Sequence, residues 1–93
     1  MKQPLVVGID IAKKDFAVAY RIGETEVELS KYANDATGFK QLQKVLANVC
    51  QAHELSQIQL ILEATGGYEA ALMAYAYAQG WGVSMPNPKQ VRD

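Results

Sequence analysis

Cysteine, histidine and tryptophan each occur once in the 93 residues. A lone cysteine, Cys50, excludes an internal disulfide and suits a reducing compartment. A lone histidine, His53, leaves no histidine-based triad to assemble, because nothing in the sequence places it near a nucleophile. Cys50 and His53 share one predicted helix, but a zinc site needs two further ligands. Cys50 is expected in the core and His53 near the helix end. An excess of either charge is also absent: nine basic residues face ten acidic ones, for a net charge of −1. This excludes the strong basic excess of a free-standing nucleic-acid binder, but not contact through metal ions or other domains. No apolar run approaches the ~20 residues of a membrane span. No early stretch has the layout of a signal peptide, so the chain reads as soluble and cytoplasmic, with no membrane partner. Walker-type loops, dinucleotide fingerprints, internal repeats and linkers are missing too.

What is present is core-forming: 49% of the residues are hydrophobic and 20% are charged. The length sets a ceiling of one domain, 1–93. "PLVVGID", residues 4–10, is a nearly continuous apolar run, the pattern of a central strand covered on both faces. "DFAVAYRI", residues 15–22, alternates through Phe16, Val18 and Tyr20, and "TEVELSKY", residues 25–32, alternates through Val27 and Leu29. The three segments predict an antiparallel meander.

The period then changes. Phe39, Leu42, Val45, Leu46, Val49 and Cys50 fall on one helical stripe within residues 34–53, with Asn34 or Asp35 as the cap. "QIQLILEA", residues 57–64, reads as a buried strand. "TGGYEAALMAYAYAQG", residues 65–80, reads as a helix opened by Thr65 or Gly66 and closed by Gly80. Tyr68, Tyr75 and Tyr77, with Leu72 and Met73, are expected to pack in the core. The alanines of this helix leave an extra apolar face for another domain or subunit. "WGVSMP", residues 81–86, predicts a last strand. The order β-β-β-α-β-α-β points to an α/β fold with a mixed sheet. Right-handed crossovers can place the fourth strand beside the first and parallel to it.

That arrangement makes neighbours of two acids. Asp10 closes the first strand and Glu63 lies near the end of the fourth. Parallel neighbours sit roughly 4.8 Å apart, and the crevice beyond such strand ends is a usual ligand position. Two carboxylates there either share a hard divalent cation, Mg²⁺ or Mn²⁺, or act as turn and cap residues. Asp15 reads as the start of the second strand, and Glu69 as a first-turn acid favoured by the helix dipole. Lys13 and Lys14 either contact a phosphate backbone or form a solvated hairpin tip. Thr65, Gly66 and Gly67 either admit a phosphate or serve a tight strand-to-helix turn.

"VVGIDIAKKDFAVAY" and "LILEATGGYEAALMAYAYAQGWGVSMPNPKQVRD" together resemble the N-terminal part of the DEDD transposases of the insertion-sequence 110 group, which includes the Piv-type DNA invertases. The resemblance runs over nearly the whole chain. It implies a RuvC-type, ribonuclease H-like domain with four metal-binding acids. The first aspartate and the glutamate of that set map to Asp10 and Glu63, and "TGGY" maps to residues 65–68. The two later aspartates lie beyond "NPKQVRD", so the fold would be incomplete at the C-terminus and the chain a piece of a longer recombinase. The family's serine nucleophile lies in a further domain. Members work on DNA with a structured guide, the bridge RNA. The exposed apolar surface is expected to make the chain self-associate. Two other classes compete. Sugar kinases and actin-like ATPases also open on a strand ending in "GID", but their turn is rich in Gly, Ser or Thr, unlike "IAKKD". A non-catalytic RNA-binding or protein-interaction module could use the same sheet.

Overall fold

The computed structural model describes residues 4–64 and 66–85. Its elements are β1 (Leu5–Ile11), β2 (Asp15–Ile22), β3 (Thr25–Ala33), α1 (Ala36–Ala52), β4 (Ile58–Ala64), α2 (Ala70–Gln79) and β5 (Gly82–Ser84). The strands form one five-stranded sheet in the order β3-β2-β1-β4-β5. β2 runs antiparallel to both β1 and β3, while β4 is parallel to β1 and β5 to β4. The architecture is mixed α/β.

Two crossovers join parallel strands, β3 to β4 through α1 and β4 to β5 through α2. Both step in the same direction across the sheet. Right-handed crossovers therefore put both helices on one face. The core agrees. Leu5, Val7, Ile9 and Ile11 of β1 join Phe16, Val18, Leu60 and Leu62. Phe39, Leu42 and Leu46 of α1 and Leu72 and Ala76 of α2 complete the same cluster. β1 is thus not covered on both faces, as its apolar run suggests. Val6 is half-buried, and Gly8 and Asp10 are exposed.

The turn from β3 into α1 is tightly built. Asp35 is the N-cap, and its side chain accepts from the Gly38 backbone N–H at 3.0 Å. Gly38 is buried, and a Cβ there would lie 1.8 Å from the Ala33 carbonyl oxygen. Glycine is what lets the helix lie against the strand end. At the other end of α1 His53 is the C-cap, and Cys50 is buried in the core. Burial pushes the Cys50 thiol up from its ordinary pKa.

α2 starts at Ala70, later than the expected opening at Thr65 or Gly66. Gly66 and Gly67 have φ of 88° and 80°, in the left-handed region, so a right-handed helix cannot begin there. Thr65 lies outside the described residues, as does the whole of "PNPKQVRD". Gly80 closes α2 with φ 83°, while the Trp81 N–H donates to Ala76 and the Gly80 N–H to Tyr77. That is a Schellman closure. The tyrosines divide. Tyr75 packs between Phe39 and Trp81, with ring centroids 5.5 and 6.1 Å away. Tyr68 and Tyr77 are exposed, contrary to their expected core role. Leu72 and Ala76 set the inward side of α2, and Tyr77 follows Ala76 by a rotation of about 100°.

Two outcomes are expected. Gly38→Ala should lower stability by about 3 kcal/mol in urea unfolding, since the added methyl meets backbone; an unchanged midpoint would mean that the turn opens freely. Cys50 should alkylate slowly in the native chain and rapidly once unfolded. Because the unfolded thiol ionises first, its stabilising contribution holds at neutral pH and is lost as pH rises past the ordinary thiol range. Fast alkylation of the native chain would contradict its burial.

Candidate metal centre

Asp10 and Glu63 face each other in register on the parallel pair β1 and β4. Neighbouring strands lie roughly 4.8 Å apart. Alternation sends Ile9, Ile11 and Leu62 into the core, so Asp10 and Glu63 share the face away from the helices. Both are exposed and both line one open cleft of about 350 Å³. Its floor is made of Gly8, Ala17 and Ala19, whose small side chains leave the carboxylates standing above the sheet.

The rows across the sheet give the electrostatics. One row runs Lys31, Ala17, Asp10, Glu63. The next runs Glu28, Ala19, Gly8, Ile61. Two adjacent carboxylates therefore repel, with the Lys31 ammonium in the same row beyond Ala17. Glu26 and Glu28 also line the cleft, and Glu26 pairs with Arg21 at 3.6 Å. Lys31, Glu26 and Glu28 are not singled out by the sequence. The alternation in "TEVELSKY" was the available signal, but it needed the β2–β3 register, which shifts between Ala17 and Ala19.

The other candidates fall around this pair. Lys13 and Lys14 are exposed in the turn from β1 to β2, which the Ala12 N–H closes on the Asp15 carbonyl at 2.8 Å. Asp15 opens β2, as expected. Gly66 and Gly67 are exposed in the turn between Glu63 and α2, not at a helix N-terminus. Glu69 stands at the N-cap of α2 and makes no capping hydrogen bond through its side chain. Its Oε1 is buried without a hydrogen-bond partner among the described residues.

Two carboxylates in register on an open face suit a hard cation that keeps several of its own waters. No group of three or more His, Cys, Asp or Glu side chains gathers among the described residues. No helix among the described residues is long and apolar enough to cross a membrane.

The sequence pattern of the DEDD transposases of the insertion-sequence 110 type matches residues 7–93. The chain belongs to this transposase family. The matched span of the transposase chain takes in Asp10, Glu63 and the turns that follow them. A comparison with curated proteins finds no match. Two solved structures of an Aquifex aeolicus Ppx/GppA enzyme align with 94% of the transposase chain, at 12% and 13% identity and a TM-score of 0.41 each. The chain spans 37% and 36% of the length of those two.

Repulsion between the two acids has a measurable consequence. Without divalent ions and at low salt, Asp10→Asn or Glu63→Gln should each raise stability by about 0.5 kcal/mol. The gain should shrink as salt screens the pair. A loss of stability in both variants at low salt would show that the carboxylates are held by other partners.

Proposed function

We propose that this transposase chain is the N-terminal part of a RuvC-type, ribonuclease H-like catalytic domain, and that Asp10 and Glu63 together hold a divalent cation, Mg²⁺ or Mn²⁺, for DNA strand cleavage and exchange. The observation that carries this reading is the registered pairing of Asp10 with Glu63 on parallel strands, open to one cleft. When bound, such a cation supplies Lewis-acid polarisation of a phosphodiester. The chain's own residues supply the anionic oxygens and their spacing. Lys13 and Lys14 follow Asp10, and Gly66 and Gly67 follow Glu63, with Thr65 in the undescribed position between. In this reading they contact the phosphate backbone that the cleft admits, lysines by charge and glycines by leaving backbone N–H groups accessible.

In this proposal Asp10 is the first acid of the family's four-acid motif and Glu63 the second, as the resemblance implies. The remaining two acids, the serine nucleophile and the bridge RNA guide belong to the longer protein in this proposal. The uncharged, alanine-rich α2 with exposed Tyr77 supports a contact between copies.

Mn²⁺ titration of the purified chain, followed by electron paramagnetic resonance, tests the reading. Wild type should show weak saturable binding. Asp10→Asn and Glu63→Gln should each abolish it, and Asp15→Asn should leave it unchanged. Equal binding by wild type and Asp10→Asn would remove Asp10 from the site.

A further inference from the structure

Three backbone segments meet beyond the C-terminal ends of β1, β3 and β4. Ala12–Lys14 leaves β1, Asn34 leaves β3, and Gly66–Tyr68 leaves β4. Asn34 joins all three. Its backbone N–H donates to the Lys14 carbonyl at 2.9 Å. Its side-chain Nδ2 donates to the Ala12 carbonyl at 3.1 Å and to the Tyr68 carbonyl at 3.0 Å. The amide has two protons, one for each turn. The opposite orientation of the amide would aim Oδ1 at two carbonyl oxygens, so donation is what this geometry requires.

Asn34 is itself held from both sides. Ala33 ends β3 against Gly38, and Asp35 caps α1 through the Gly38 N–H. The side chain therefore projects from a fixed turn. The β1–β4 register fixes Asp10 and Glu63 themselves, but that ladder ends at Ile11 and Ala64. Past those residues, no other side-chain hydrogen bond among the described residues ties the turn after β1 to the turn before α2.

We propose that Asn34 is a positioning residue that ties the backbone leaving Asp10 to the backbone leaving Glu63, so that Lys13, Lys14 and the Gly66–Gly67 turn form one rim beside the carboxylate pair. The role of the rim rests on the proposed metal-dependent function; the tie itself does not. An aspartate cannot replace Asn34, because it only accepts and both partners are carbonyl oxygens.

A distance measurement by electron paramagnetic resonance, without metal, tests the tie. Nitroxide labels at Lys13→Cys and Tyr68→Cys, in a Cys50→Ala background, should give a narrow distance distribution. Adding Asn34→Ala or Asn34→Asp should broaden it distinctly, because the side chain no longer donates to the Ala12 and Tyr68 carbonyls. An equally narrow distribution in both variants overturns the proposal. If neither variant folds, Asn34 is a residue of the fold and the positioning role is overturned. A second label pair, Lys40→Cys on α1 and Tyr77→Cys on α2, supplies a readout of general loosening and should keep its distance in every variant; broadening of both pairs together overturns the positioning role. No step of this test uses metal, so failure of the Mn²⁺ titration removes the metal reading while the label distances still decide the tie.

Discussion

The parallel pairing of Leu5–Ile11 with Ile58–Ala64 is the constraint on which the rest of the structure depends. It joins a strand at the start of the chain to one that follows a long helix, so its register is set by packing and not by a short turn. Leu5, Val7, Ile9 and Ile11 bury on the same face as Leu60 and Leu62. A slip of one residue would turn either set out of the core. The same register that satisfies the core therefore brings Asp10 level with Glu63. The acids are placed by the apolar residues beside them.

The strand order decides what lies over those acids. Because the two crossovers move the same way, α1 and α2 share a face, and the other face carries small and charged side chains: Gly8, Ala17 and Ala19 beneath Asp10, Glu63, Glu28 and Lys31. Small residues at the floor keep the cleft open, and exposure keeps the charged forms hydrated. The like charges cost the fold a little stability, a cost the carboxylates bear at a place where a cation can offset it. Beyond the ladder, the turns after β1 and β4 carry the lysines and glycines, and the amide of Asn34 spans them.

Much of this was legible in the sequence because strands and helices have different periods. Phe16, Val18 and Tyr20 mark one face of β2, and Phe39, Leu42 and Leu46 mark the stripe of α1, with Asp35 ahead of it as cap. Asp10 and Glu63 stood out as charges at the ends of apolar runs. What stayed hidden depended on tertiary information. The run through Val6 and Val7 looks the same whether one face of β1 or both are covered. The start of α2 turned on the sign of φ at Gly66 and Gly67, which the residue type permits but does not fix. Glu28 and Lys31 join the acid rows only through a bulged β2–β3 register. Asn34 looked like a helix cap, because its partners lie 22 and 34 residues away in the chain. Tyr77 lies two residues after Tyr75, so the two point to different sides of α2 and Tyr77 is exposed.

In the proposed site Asp10 and Glu63 share one cation. Anomalous diffraction from crystals of the chain soaked in Mn²⁺ addresses it directly. A single strong peak is expected on the open face of the sheet, within about 2–2.5 Å of a carboxylate oxygen from each residue. A peak bound by only one of them, or manganese held elsewhere with the pair empty, would contradict it.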